Sequence, residues 1–294
     1  MPLVGDLKEK VLVVGLGEVG QALFDLFKES GWFMVYGLDM NLEKMRKIAG
    51  ERTTPEKVDV MHICYPCDDQ EDFIQTTVEY VKKFNPKLTI INSTVPPGTT
   101  QKIYELTGKP IVHSPVRGMH RGAGTMKKYI VALTKYVGGV TSESSQLACK
   151  HFQKIGLKTK ILKSPIETEL AKLFETTYRA WMIACFHEMH RISRHFKADF
   201  YEVVDFLEDT HRARLDRPVM FPGVIGGHCL IPNAKLLMKS YESEFIRLLL
   251  KSNEKRKKEI INPDIYEEVE KIKKKVEGLQ REIIKRCGEK SLPY

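Results

Sequence analysis

The chain has 294 residues, 42% of them hydrophobic and 29% charged, with a net charge of +9. That length holds two domains, or one with a large appendage, and the balance excludes wholesale disorder. No apolar run approaches the ~20 residues of a membrane helix, and residues 1–17 lack the basic-then-apolar plan of a signal peptide. A cytoplasmic protein is therefore expected, with its six cysteines as reduced thiols. Acidic residues are interspersed with the basic ones nearly everywhere, and the most basic run, residues 255–258, is short. This argues against nucleic acid as a partner and for a small-molecule substrate, phosphorylated or nucleotide-linked.

Residues 10–15 (KVLVVG) read as a buried strand, followed by Gly15-Leu-Gly17-Glu18-Val19-Gly20 and an amphipathic helix. Gly15 allows a tight turn, Gly17 lets backbone approach a pyrophosphate, and Gly20 lets helix and strand pack closely. The helix N-terminus then faces the phosphate charge. A second strand, 33–38, ends on Asp39, placed to accept from a ribose 2′-OH and to repel a 2′-phosphate. The pattern predicts NAD rather than NADP. Strands at 58–64, 88–92 and 110–113 alternate with helices, and runs at 128–133 and 158–162 extend the series around a helix at 142–155. This is the signature of a parallel sheet wound on both faces.

Ligands of such sheets bind at the carboxyl ends of the strands. The first end to reach that cleft is Cys64-Tyr65-Pro66-Cys67. A CxxC can be a redox pair or half of a zinc site, but no second pair completes a metal site, and a cofactor wall is the better reading. The second is the polar turn Asn92-Ser93-Thr94 onward, and the third runs from His113 and Ser114 to His120. Tyr65, Pro66, Ser93, Thr94 and Ser114, with Glu18 and Val19 of the glycine turn, are the remaining candidates for cofactor contact.

Residues 164–195 read as one long helix around which the second half is organised. Ser164 suits the N-cap, Pro165 the first position, and Glu167 completes a capping box. Leu170, Leu173, Phe174, Thr177, Tyr178, Trp181, Ala184, Cys185 and Met189 form a wide apolar stripe, with Lys172, Thr176 and Arg179 off it. Residues 200–207 are helical and lead into a loop with Arg212, Arg214 and Arg217, whose forked donors suit phosphate or carboxylate. A helix follows at 234–251. Residues 262–287 form a charged helix whose Val269, Ile272, Val276, Leu279 and Ile283 repeat by three and four. That seam docks on a partner subunit or on the chain's own helices.

Three stretches together resemble the UDP-glucose/GDP-mannose dehydrogenase family. They are residues 93–100 (STVPPGTT), 169–180 (ELAKLFETTYRA) and 222–232 (PGVIGGHCLIP), and the likeness covers roughly residues 8–255. The Gly226-Gly227-His228-Cys229 form looks most like the branch oxidising GDP-mannose or UDP-N-acetylmannosamine. The resemblance implies NAD-dependent oxidation of a sugar primary alcohol to a carboxylate, with Cys229 as nucleophile and Lys172 polarising the reacting oxygen. Thiohemiacetal chemistry needs a thiolate and a cation near the developing oxyanion, which fits both residues. Thr176 and Asn233 would orient substrate or water, and Arg179, Arg214, Gly226, Gly227 and His228 would hold substrate.

The chain departs from the family pattern at several places. Thr176 stands where Asn is usual, Asn233 where Asp is usual, and Val116 where a carboxylate is expected near water and thioester. Ile225 looks inserted, the segment between Asp39 and Val58 is short, and the family's third, nucleotide-holding domain has no counterpart in residues 262–294. Two other readings stand beside it: a one-step β-hydroxyacid dehydrogenase using Lys172, and an NAD-binding regulatory protein whose catalysis has decayed. The expected architecture is an NAD-binding Rossmann domain (1–163), an all-helical substrate and dimerisation domain organised on the long helix (164–261) and a terminal helix (262–294), assembled as a homodimer.

Overall fold

The computed structural model describes residues 8–50 and 54–287, with side chains through 283. The chain divides into two compact units, one running through Lys172 and the other from Leu173.

In the first unit the strands are β1 (Glu9–Val14), β2 (Phe33–Leu38), β3 (Val60–Ile63), β4 (Leu88–Ile91), β5 (Ile111–His113), β6 (Lys135–Gly139) and β7 (Thr159–Ile161). They lie in the order β2-β1-β3-β4-β5-β6-β7. The order reverses at β1, so the crevice between β1 and β3 is the switch point where such sheets bind ligands. Alternate residues of β1 feed opposite cores. Val11 and Val13 pack with Phe24 and Phe27 of α1 (Glu18–Ser30) and Phe152 of α6 (Ser142–Gln153). Leu12 and Val14 pack with Phe73 and Val78 of α3 (Gln70–Phe84) and Ile103 of α4 (Thr99–Thr107). Both faces are covered, which is why every residue of β3 and β4 is buried, His62 and Thr89 included. A short α2 (Leu42–Ala49) follows β2.

Residues 128–133 are not a strand. Residues 128–132 lie in α5 (Ala123–Ala132), Leu133 is its C-cap, and the strand follows at β6. The run is rich in β-branched and aromatic residues, but the buried positions are Met126, Tyr129 and Ile130, spaced three and four apart, with Val131 exposed. Helical burial overrides local strand preference there. The sheet is also not wholly parallel, because β6 runs antiparallel to β5, Val112 facing Gly139.

The long helix α7 (Pro165–His195) is present as expected, with Ser164 Oγ accepting from Ile166 N at 3.2 Å and donating to Glu167 Oε2 at 2.6 Å. Its expected stripe splits. Leu173 and Thr177 are buried, while Phe174, Tyr178 and Met189 are 53%, 63% and 40% exposed. The helix is apolar around more of its circumference than is buried.

The other helices of the second unit are α8 (Phe200–Arg214), α9 (Leu230–Ser240), α10 (Glu244–Glu259) and α11 (Pro263–Cys287). Two expectations fail here. The arginine stretch is not a loop, because α8 continues to Arg214 and ends where Leu215 turns left-handed (φ 56°). The helix expected at 234–251 is two helices, since the Ser243 hydroxyl caps α10 by accepting from Ile246 N at 3.3 Å. The terminal seam docks on the chain's own helices: Val269, Ile272, Val276 and Leu279 are buried, and the last three pack against Phe186, Phe200, Val204 and Met220. Among the described residues no helix is long and apolar enough to cross a membrane.

Candidate functional site

The glycine turn after β1 has the expected cradle. A Cβ on Gly20 would lie 1.7 Å from Gly15 O, so only glycine lets α1 start against the turn. Gly17 is the N-cap of α1 with no side-chain cap, which leaves the first amides of the helix for an anion. Asp39 stands beside them. Its carboxylate accepts from Leu16 N (2.7 Å) and Asn41 N (2.9 Å), and Lys44 Nζ lies 3.7 Å away. Each oxygen keeps a lone pair for a ribose hydroxyl. These residues fit a dinucleotide.

The other expected contacts are made differently from the simplest picture. The Tyr65 hydroxyl turns to Thr77 (2.6 Å), so this residue presents backbone to the turn. Ser93 Oγ donates to Tyr65 O at 2.6 Å and Ser114 Oγ to Tyr136 O at 2.7 Å, so both hydroxyls hold strand ends together. Thr94 is half-buried, Val19 packs on the core, and Pro66 is exposed. Glu18 accepts from Gly122 N (2.9 Å) and meets His120 Nδ1 (2.7 Å), tying the start of α1 to the segment after β5.

Two residues not assigned an anchoring role from sequence lock the start of α7 to the strand ends. Glu169 is fully buried and caps α4, accepting from Gly98 N (2.7 Å), Thr100 N (2.9 Å) and Thr100 Oγ1 (2.6 Å). Burial pushes its carboxyl up, against the pull of those donors. His113 donates from Nε2 to Ser93 O (3.0 Å) and accepts at Nδ1 from Thr168 Oγ1 (2.8 Å). Lys172, half-buried, follows Glu169 by three residues and so sits one turn further along the same helix side.

Burial holds the His113 imidazole down to about 3. The unfolded chain takes up that proton near 6.5 and the folded chain later, so stability is full above about pH 6.5 and falls as pH drops toward 3. One such imidazole changes stability by ~1.4 kcal/mol per pH unit inside that window. Urea unfolding between about pH 7 and 4 is expected to show this slope and His113→Gln to reduce it; an unchanged slope in the variant would contradict the assignment.

In the second unit Cys229 is the N-cap of α9, reached through Gly227 in the left-handed region (φ 80°), where a side chain would be strained. Asn233 lies one turn on: its N–H donates to Cys229 O (2.9 Å) and its Nδ2 to Thr176 Oγ1 (3.2 Å). The segment before Cys229 is held from behind. Asn253 accepts from Ile225 N (2.8 Å) and donates to Ile225 O (3.1 Å), and His187 Nε2 donates to Gly223 O (2.7 Å). Arg256, read from sequence as part of a basic face, is fully buried and donates to His187 O at 3.0 Å. Gly226 and His228 are exposed. Arg214 pairs with Asp216 (2.8 Å) and Arg212 with Glu208 (2.6 Å), so the expected anion clamp is engaged in ion pairs. Arg179 is exposed on α7.

Residues 166–255 match the family model described as the UDP-glucose/GDP-mannose dehydrogenase family, central domain. A UDP-N-acetyl-D-mannosamine dehydrogenase of Methanocaldococcus jannaschii is 28% identical over 87% of this chain and 70% of its own. The solved UDP-D-ManNAc dehydrogenase of Pyrococcus horikoshii superposes with a TM-score of 0.71 at 25% identity, over 84% of this chain and 69% of that one. Over residues 166–255 the chain is thus similar to the UDP-glucose/GDP-mannose dehydrogenase family. It spans about 70% of the length of these relatives. The 3-hydroxyisobutyrate dehydrogenase of Mycobacterium tuberculosis shares the fold at 16% identity, with a TM-score of 0.65 over 87% of this chain and 95% of its own.

Two departures from the dehydrogenase pattern meet each other. Thr176 and Asn233 share one buried hydrogen bond, Asn233 Nδ2 donating to Thr176 Oγ1. At 116 the valine is 7% exposed and packs in the core with Met126 and Ile130, an environment closed to an unpaired carboxylate.

Proposed function

We propose that this chain is an NAD-dependent dehydrogenase that oxidises the primary alcohol of a nucleotide-linked sugar through a covalent adduct on Cys229. The observation that carries this is Cys229 at the N-terminus of α9, behind a left-handed Gly227 and a backbone clamped by Asn253. Bound NAD supplies the hydride acceptor. Gly15, Gly17 and Gly20 would hold its pyrophosphate at the start of α1, and Asp39 would accept from a ribose hydroxyl. Lys172 stabilises charge on the reacting oxygen. The alcohol would lose a proton from oxygen and a hydride from carbon to a first NAD, giving the aldehyde. The Cys229 thiolate would add to that carbon, and the thiohemiacetal would lose a second hydride to a second NAD, giving a thioester. Water would then cleave its C–S bond, releasing the carboxylate and restoring the thiol. Asn233, fixed by Thr176, orients substrate or that water. UDP-N-acetylmannosamine is the first substrate to try, since the similar enzymes named above act on it.

A thermal shift with NAD beside UDP- and GDP-sugars and simple hydroxyacids tests the substrate class. A ligand at 100 times its dissociation constant stabilises by about 2.7 kcal/mol. Stabilisation by hydroxyacids and not by nucleotide sugars would replace this reading with a one-step β-hydroxyacid dehydrogenase, which also matches the shared fold. Stabilisation by NAD alone, with no turnover, would favour a regulatory role.

The exposed Phe174, Tyr178, Met189 and Ile192 on α7 support a homodimer through that helix. Sedimentation is expected to give a dimer that Tyr178→Glu converts to monomer; a monomeric parent protein would contradict it.

A further inference from the structure

Within the first unit a file of polar side chains crosses a sheet that is otherwise filled with apolar ones. Lys135, 4% exposed at the start of β6, donates from Nζ to Asn92 Oδ1 (3.2 Å), to Pro115 O (3.3 Å) and to Ser114 O. Asn92 Nδ2 spends one hydrogen on Ile90 O (3.2 Å) and the other on His62 Nδ1 (3.1 Å). An accepting Nδ1 leaves the proton of His62 on Nε2, which faces His151 Nε2 at 2.9 Å. That nitrogen must accept, so His151 keeps its proton on Nδ1, 3.4 Å from Glu9 Oε1. Each step has one possible direction, because lysine offers only donors and a carbonyl only acceptors. The far end, Glu9 at the start of β1, pairs with Lys154 beside a cavity of about 410 Å³. Aromatic rings enclose the file: His151 stacks on Phe27 at 4.6 Å, and Lys135 Nζ lies 5.2 Å from the Phe152 centroid.

A buried cation with no carboxylate beside it is expensive to keep. What Lys135 holds in return is the turn leaving β5, by two consecutive carbonyls. We propose that Lys135 is a positioning residue of the cofactor cleft, whose ammonium pins the Ser114–Pro115 turn and whose neutral amine lets it go. An ammonium has three hydrogens for three acceptors, whereas a neutral amine has two and must release one. This rests on the reading of the carboxyl edge as the NAD cleft. Burial brings the Lys135 amine down to about 7, within reach of ordinary pH. The titratable and charged groups facing it are Cys64 on β3, whose buried thiol is pushed up to about 12, with Arg117, Lys172 and the buried, neutral His62 and His113.

The test is NAD affinity by calorimetry from about pH 5.5 to 9, with thermal unfolding of each protein alongside. The parent protein is expected to lose about three- to ten-fold in affinity, the worth of one hydrogen bond, with a midpoint near 7. Lys135→Met is expected to bind weakly and without the step. Asn92→Asp places a carboxylate beside the amine and is expected to move the midpoint up by about one unit or more, a displacement that loss of structure alone does not produce. His120, on Glu18 beside the cleft, is unchanged in both variants, so a step surviving in Lys135→Met belongs to it and overturns the assignment. A flat profile in the parent protein, or a midpoint unmoved in Asn92→Asp, overturns it as well. No NAD binding at any pH sinks the cofactor reading itself.

Discussion

Replacing Cys229 by alanine is expected to abolish acid formation, with a loss in kcat on the order of 10³-fold or more. The small substitution at an N-cap that makes no side-chain capping bond leaves α9 intact, so NAD affinity and thermal stability should stay near those of the parent protein. Cys229→Ser should lose nearly as much, since a serine hydroxyl is far less acidic than a thiol and far weaker as a nucleophile. The informative residue is whatever activity remains. If Cys229→Ala still reduces one equivalent of NAD and releases aldehyde, the alcohol step needs only the first unit's Lys172 and the cofactor. Undiminished acid formation would remove the covalent step.

Loss of Glu169 carries the second large effect. Glu169→Ala strips the cap from α4 and leaves the amides of Gly98 and Thr100 facing a cavity, at a cost of about 3 kcal/mol. The same carboxylate anchors the start of α7, so the placement of Lys172, three residues on, loosens with it. Urea unfolding should show the destabilisation, and kcat should fall further than NAD affinity. Glu169→Gln separates the two roles, because its amide oxygen can still accept from Thr100 N and Thr100 Oγ1 while its NH₂ opposes Gly98 N. A Glu169→Ala protein as stable as its parent would show that α4 is capped from elsewhere.

The cofactor half of the site was legible because its chemistry is local. Gly15 to Gly20, Asp39 and the strand around them lie in one short stretch, and Gly15 and Gly20 each have a steric reason to be there. The start of α7 was legible for the same reason, through Ser164, Pro165 and Glu167. Residues 128–133 misled because their composition suits a strand, and only the burial of Met126, Tyr129 and Ile130 on one side shows the helix. The arginine stretch misled because nothing before Leu215 says whether α8 continues. Glu169 and His113 were invisible as anchors: their partners lie 55 to 71 residues away in sequence or on backbone atoms that carry no sequence signal. Thr176 and Asn233 looked like two separate losses and became one pair only in three dimensions.

NADH formed per molecule of nucleotide sugar consumed, at saturating NAD, is the measurement that tests the covalent four-electron route most directly. Two equivalents with a carboxylate product are expected, falling to one or none in Cys229→Ala. One equivalent in the parent protein, unaffected by loss of the thiol, would contradict it and leave Lys172 as the centre of a one-step dehydrogenase.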